Sequence, residues 1–352
     1  MNKILIWVLA LTLISCNQEV KIEFEYTDLS SGITDTLHSK LIYQSDSKYF
    51  SDIECVNDSI LAIVQQKDEM CIMLLNMHSG LINSQIGFRG HGPNDLLDPS
   101  FVPNPRKDTD EYIYIHDINS RKFLRMNFNN MNTDSVFNEL HYPDDIFPSV
   151  NLNYSNSFFI GRKAQINEEK NFYIYNKITG TVSEVDHYLK LKNLDNKDYY
   201  LATNLGLNED KNRIITGMYF LDIIQLYDLY GNLIKTISFT ENNVIPKIDS
   251  RLRSFDFSKG YTGITSIYPT KDFCFLRRDE VVPIFQNNEI IESRKSSIIQ
   301  IDWDGNIIKN YYIDDLLMGS FCVDDSIDNL YAIRNQIKQD REYFEIISYE
   351  MN

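Results

Sequence analysis

Glycine and proline are scarce, 14 and 9 in 352 residues, so the few places where they cluster mark unusual backbone geometry. Long apolar runs are scarcer. After residue 14 none approaches the roughly eighteen residues that a membrane-crossing helix needs, which excludes a later transmembrane span of that kind. Cysteine occurs five times and never as C-x-x-C, and no cluster of thiols or imidazoles offers zinc its ligands. H-E-x-x-H, G-x-S-x-G and a phosphate-binding G-x-x-x-x-G-K-[ST] are all absent, so no local motif assigns a reaction, a metal or a cofactor. "DWDGN" at 302–306 lacks the ligand alternation of a calcium loop and reads as a hairpin turn, while "VDDSIDN" at 323–329 reads as a solvated turn. Basic residues are outnumbered 34 to 50, for a net charge of −16. That balance excludes a general nucleic-acid binder and suits an exterior kept soluble by acidic side chains.

The N-terminus carries the most specific local signal. Met1-Asn2-Lys3 is a short basic start, and 4–14 is almost wholly apolar, the length of a secretory leader rather than a bilayer span. Leu13-Ile14-Ser15-Cys16 then matches the bacterial lipobox. The reading is a lipoprotein signal peptide over 1–15 and a mature chain, 16–352, that begins at an acylated Cys16. At about 0.8 kcal/mol per buried methylene, several acyl chains make a durable anchor. The expected address is the outer membrane, on its periplasmic or cell-surface side, with membrane contact through the anchor alone. The other cysteines, Cys55, Cys71, Cys274 and Cys322, sit among apolar neighbours. They are read as buried thiols in preference to a disulfide.

Short runs of Tyr, Phe, Ile and Val broken by Asn, Asp and Gly dominate the chain, and long helical periodicity is almost missing. The turns fall into register. "NMHSGLINSQI" centres on Gly80, "FNNMNTDSVF" on Asn130, "NKITGTVSEV" on Gly180 and "YDLYGNLIKTI" on Gly231, at spacings of 50, 50 and 51. "IDWDGNIIKNYYI" repeats the pattern at Gly305, 74 residues on, which places an insertion of about two dozen residues in that unit. Four short strands per period of about fifty residues predict the radial sheets of a β-propeller. Six such units fit, with innermost and second strands over 53–56 and 60–64, 101–102 and 112–115, 150–152 and 158–160, 205–207 and 214–218, 264–267 and 273–276, and 321–323 and 330–333. The chain stops before an outer strand for the sixth unit. The alternating "VKIEFEY" at 20–26 is expected to supply it and so close one domain of six four-stranded antiparallel blades.

"GFRGHGPNDLLDPSF" at 87–101 is then the connector from the outer strand of the first blade to the inner strand of the second, with glycines for close approach and left-handed backbone and prolines to stiffen the path. It resembles the Gly-x-x-Gly-x-Gly-Pro-x-x-(apolar)-x-x-Pro connector of NHL-type propellers and is similar to that of the six-bladed, TolB-like propeller lipoproteins of Gram-negative gut bacteria. The resemblance implies a fold and an envelope address, and no single activity.

Polar residues follow the second strands: Gln65, His116-Asp117, Arg162-Lys163, Met218-Tyr219, Arg277-Arg278 and Arg334-Asn335. Six-fold closure would gather Gln65, His116, Asp117, Arg162, Tyr219, Arg277 and Arg334 around one channel mouth, beside Arg89 and His91 of the connector. Such a ring would focus an anionic ligand, since guanidinium forks suit carboxylate and phosphate. Against that stands the reading that each Arg simply pairs with a neighbouring acid. The expected role is to bind an anionic small molecule or glycan, or a partner protein of the envelope. The alternative is a hydrolase or lyase acting on a polysaccharide, with carboxylates such as Asp95, Asp98, Asp117 or Asp279 meeting only in the fold.

Overall fold

In the computed structural model the described residues are 25–105, 112–127, 136–164, 170–188, 201–241, 247–249, 254–256, 261–286, 289–313, 315, 317–324, 326, 328–338 and 341–351. Six four-stranded antiparallel sheets form a ring, a six-bladed β-propeller. Blade 1 comprises Tyr49–Cys55, Ile60–Gln66, Met70–Asn76 and Ile82–Phe88, from the axis outward. Blade 2 follows with Pro99–Val102, Tyr112–Asp117, Lys122–Asn127 and Phe137–Leu140, and blade 3 with Ser149–Tyr154, Phe158–Lys163, Lys170–Asn176 and Thr181–Asp186. Thr203–Asn208, Arg213–Met218, Ile223–Tyr227 and Leu233–Ser238 make blade 4. Blade 5 is Tyr261–Pro269, Phe273–Gln286, Glu289–Asp302 and Ile307–Ile313. Blade 6 is Leu317–Asp324, Asn329–Lys338 and Arg341–Glu350, completed on the outside by Lys40–Ser45.

The repeated turns are the hairpins that the glycine spacing implies. Gly80, Gly180, Gly231 and Gly305 have φ of 68°, 67°, 83° and 83°, the left-handed region that costs a Cβ-bearing residue most. Asn130 lies outside the described residues. The long interval before Gly305 is taken up by a small hairpin, Lys247–Asp249 with Ser254–Asp256, and by the extension of the two central blade 5 strands to 14 residues each.

An N-terminal strand closes the ring, as expected, but a later one than expected. Of residues 20–26 only 25 and 26 are described, and these do not complete blade 6. Glu25–Tyr26 runs parallel to Leu233–Ser238 as a fifth strand on blade 4, and Ile33–Leu37 runs parallel to Ile307–Ile313 as a fifth strand on blade 5. Lys40–Ser45 pairs antiparallel with the free edge of Arg341–Glu350, in the register Tyr43↔Ile346 and Leu41↔Ile347. The N-terminal segment is thus a strap over the outer edges of three successive blades, and it covers three edges that would otherwise present unpaired backbone groups. Gly80 packs against its last stretch, and a Cβ there would lie 2.5 Å from the Ile42 carbonyl oxygen.

The apolar residues sit between blades, as alternation on each sheet requires. Ile60, Val64 and Ile72 of blade 1 meet Phe101, Ile115 and Met126 of blade 2; Phe123 of blade 2 meets Phe159 and Tyr173 of blade 3. The largest buried cluster joins the last blades to the first through Phe275, Phe321, Ile333, Ile347, Ile53 and Leu61. Near the axis, side-chain amides link neighbouring inner strands. Asn151 Nδ2 donates to Thr203 O at 3.0 Å, Asn153 Nδ2 to Leu205 O at 3.2 Å and Asn204 Nδ2 to Ile264 O at 3.0 Å. Buried carbonyls that face no ladder partner are satisfied in this way.

Candidate functional site

The glycines and prolines of 87–101 serve a hydrogen-bonded knot. Asp95 accepts from Gly92 N–H at 2.7 Å, and Lys122 Nζ donates to the carbonyls of Gly92, Pro93 and Asp95 at 2.9, 2.9 and 2.8 Å. Arg89 spends its guanidinium on backbone carbonyls: Nε on Asp68 at 3.1 Å, Nη2 on Gln65 at 2.9 Å and Nη1 on Leu97. Asp117 is fully buried and accepts from the N–H groups of Leu97, Asp98 and Ser120 at 2.6, 3.2 and 3.1 Å. Arg89 and Asp117 therefore turn and hold the chain. His91 is exposed on the same connector.

The cationic ring expected at this mouth is largely neutralised. Arg277 is buried, donates to both oxygens of Asp279 at 3.1 and 2.7 Å, and reaches the carbonyls of Gly319 and Leu317 on blade 6. Arg334 donates to Glu345 and to Asp315, and also to Ser39 just ahead of the closing strand. Arg278 forks onto Asp222. Gln65 is buried between Lys48 Nζ at 2.6 Å and the Met70 carbonyl at 3.1 Å. His116 is buried against Tyr142, and the loss of hydration lowers its imidazole to about 4, so it is neutral. Arg162 and Tyr219 are half-buried; the Arg162 charge helps burial keep the neighbouring His187 neutral, also near 4. The neutralising acids come from three places: Asp279 stands two residues along the same strand as Arg277, Glu345 lies opposite Arg334 on the neighbouring strand of blade 6, and Asp222 reaches Arg278 from the preceding blade. Of the expected carboxylates, Asp98 accepts from Asn119 at 3.4 Å, and among the described residues lining the axial cavity there is none of Asp95, Asp98, Asp117 and Asp279.

That cavity, about 200 Å³, is lined by the inner strands of all six blades. Its polar groups are Asp52 and Glu54 of blade 1, Ser100, Asn151, Asn153, Asn204, Ser266 and Ser320. Asp52 accepts from Ile53 N–H at 2.9 Å, Phe101 N–H at 2.7 Å and the Ser320 hydroxyl, yet burial outweighs these donors and pushes its carboxyl up to about 6. Glu54 accepts from the Tyr268 hydroxyl at 2.5 Å. Asn153 Oδ1 is buried and takes no hydrogen bond among the described residues. The two carboxylates share one strand, so the axis is acidic on one side and unsuited to an anion.

A second cavity, about 300 Å³, opens on the opposite face, where inner strands of blades 2, 3 and 4 end. Its walls are Tyr112, Tyr114 and Arg125 of blade 2 and Tyr154, Ser155 and Asn156 of blade 3, with Asn104 and Pro105 above them and Asn208 and Glu209 at the blade 4 rim. Tyr114 and Tyr154 meet at 4.6 Å between ring centroids, and Lys177 Nζ fixes Tyr154 from behind, 3.0 Å from its hydroxyl. The Arg125 guanidinium lies 4.6 Å above the Tyr112 ring. Its Nε is buried with no hydrogen-bond acceptor, and no carboxylate among the described residues pairs with it. Glu209 is committed at one oxygen to Ser157 N–H at 3.3 Å. This cleft was missed in the sequence because Arg125 stands in the middle of a third strand, "KFLRMN", rather than at the end of a second. Cys16 lies outside the described residues. Among those described, no helix is long and apolar enough to cross a membrane, and no group of His, Cys, Asp or Glu is placed to hold a metal.

Fold and cavities define a six-bladed propeller that has a polar axial cavity and an aromatic cleft between blades. No known family profile and no curated protein matches the chain in sequence. Among solved structures it is similar to a DUF4221 family member from Bacteroides vulgatus, with a TM-score of 0.52 at 14% identity over 90% of this chain and 99% of that one. Weaker likenesses include a luciferin-regenerating enzyme (TM-score 0.42, 11% identity, 90% and 97% covered) and the calcium-binding regucalcin of Agrobacterium tumefaciens (0.40, 10%, 91% and 97%). At these identities the likeness concerns the fold.

Proposed function

We propose that this protein is a lipid-anchored envelope propeller that binds a small acidic sugar or related anion in the cleft between blades 2 and 3. The carrying observation is Arg125, a guanidinium with a buried, unpartnered Nε in a tyrosine-walled cavity. Leaving that donor unmet is costly, about 1–3 kcal/mol, and a ligand carboxylate or phosphate would recover it with a charge-assisted bond. Tyr112, Tyr114 and Tyr154 offer aromatic faces to a sugar ring, while Glu209, Ser155 and Asn156 can meet its hydroxyls. A volume near 300 Å³ is at the small end of ligand pockets and suits one ring. The lipobox at Cys16 and the connector's likeness to NHL-type and TolB-like lipoproteins support the envelope address.

A thermal-shift screen of glucuronate, galacturonate, sialic acid, inorganic phosphate and the neutral sugars tests the reading. A ligand at a hundred times its dissociation constant stabilises by about 2.7 kcal/mol. Shifts with acidic sugars that vanish in Arg125→Met support it; shifts equal with neutral sugars, or retained in that variant, refute it.

One observation favours a second reading. A carboxyl near pKa 6 in a polar cavity, Asp52, could transfer protons in a hydrolase. Turnover of a polysaccharide abolished by Asp52→Asn would select it.

A further inference from the structure

We infer that Cys55 and Cys322 form a disulfide that covalently closes the propeller ring. Cys55 ends the inner strand of blade 1, and Cys322 lies in the inner strand of blade 6. Their sulfurs are 3.1 Å apart although the residues are 267 positions apart in sequence, and both are fully buried. A disulfide needs about 2.05 Å, so the sulfurs must approach by only about 1 Å.

The two strands are already fixed side by side. Ile53 N–H donates to the Ser320 hydroxyl oxygen at 3.0 Å, that hydroxyl donates to Asp52, and a Cβ on Gly319 would come within 2.9 Å of the Ser51 carbonyl oxygen. The other two described cysteines have no such neighbour. Cys71 is buried between blades 1 and 2, and Cys274 between blades 4 and 5, whereas Cys55 and Cys322 share the cluster that joins the last blades to the first. Cys71 Sγ has the Leu96 carbonyl oxygen as its polar contact at 3.8 Å, and burial pushes the Cys274 thiol far up.

The bond joins the same two blades that Lys40–Ser45 joins at the rim, so the ring is closed both at its edge and near its axis. Each thiol gives up one proton, and two electrons pass to an acceptor disulfide, a dithiol oxidant protein or oxidised glutathione, which is reduced to two thiols. Because both sulfurs end fully buried, exchange belongs to folding, before blade 6 seats on blade 1, and the finished bond is shielded from reductants. A cross-link spanning so long a loop restricts the unfolded chain strongly.

The test is independent of the ligand cleft and of the protein's address. The full chain is unfolded, refolded in a buffer of oxidised and reduced glutathione, alkylated under denaturing conditions and mapped by mass spectrometry without reduction. The inference expects Cys55 and Cys322 in one linked peptide pair, with Cys71 and Cys274 alkylated. It also expects protein reduced while unfolded and refolded in reductant to melt about 5 °C or more below the oxidised protein in the wild type and not in Cys55→Ala/Cys322→Ala. Alkylation of both Cys55 and Cys322 in refolded protein, or a link to any other cysteine, overturns it. Should the double variant fail to fold, the wild-type map alone decides.

Discussion

Arg278 grips Asp222 across the boundary between blades 5 and 4, with Nε 2.9 Å from Oδ1 and Nη2 2.8 Å from Oδ2, and the Asp222 side chain is only 1% exposed. The pair looks from the sequence like a ligand-ready cation at a strand end, yet its acid comes from the turn before the third strand of the preceding blade. A buried ion pair of this kind specifies a junction more than it stabilises one. Arg278→Met should therefore cost about 3–5 kcal/mol by stranding Asp222, while Arg278→Met/Asp222→Leu should recover most of the loss. Urea denaturation of the three proteins checks this, and a double variant no better than the single one contradicts it.

Acid stability should be set by two neutral imidazoles. His116 and His187 are both buried and held near 4, against about 6.5 in the unfolded chain. The folded protein thus binds fewer protons between those values, and stability falls as pH drops through that window. At pH 5 the loss is about 2 kcal/mol per histidine. Asp52, raised to about 6, acts in the opposite sense and returns about 1 kcal/mol over the same range. Since His116 Nε2 has no hydrogen-bond partner among the described residues, His116→Phe loses no bond there. It should narrow the difference in unfolding free energy between pH 7.5 and pH 5 by about 2 kcal/mol. An unchanged difference would mean the imidazole is not the titrating group.

Truncation distinguishes strap from closing strand. Removing residues 1–26 takes away a two-residue parallel pairing and the Glu25–Lys235 contact of 3.0 Å, so the melting temperature should fall by only a few degrees. Removing 1–45 exposes the edge of Arg341–Glu350, including Ile346 and Ile347, both fully buried, and the product should aggregate or fail to melt cooperatively. Circular dichroism and size-exclusion chromatography read both outcomes. Equal behaviour of the two truncations would mean that closure does not reside in Lys40–Ser45.

The blade plan was legible because hairpin turns need positive φ, and Gly80, Gly180, Gly231 and Gly305 record that need at a nearly constant spacing. Which N-terminal stretch closes the ring was not, because alternation in "VKIEFEY" and in "KLIYQS" marks strands equally well and says nothing of the edge each one finds. The candidate site was legible only as chemistry. Arg277 and Arg334 were visible, but not their commitment: Asp279, two residues along the same strand, turns back onto Arg277, while Glu345 reaches Arg334 by strand pairing and Asp315 by the approach of a loop. Arg125 was hidden for the converse reason: a cation alternating with Phe123, Leu124 and Met126 reads as a solvated strand face. Its isolation depends on the rings that Tyr112, Tyr114 and Tyr154 bring from two blades.

The cleft is tested most directly by isothermal titration of glucuronate and glucose into the wild-type protein and Arg125→Met, at low and at physiological salt. The account expects glucuronate to bind the wild type at least about tenfold more tightly than glucose, a preference of about 1.4 kcal/mol or more. It expects Arg125→Met to erase that preference while leaving the melting temperature of the free protein unchanged or higher, since an unsatisfied buried donor is removed. Glucuronate bound equally well by both proteins, or by neither, would contradict the assignment of Arg125 as the anion's partner.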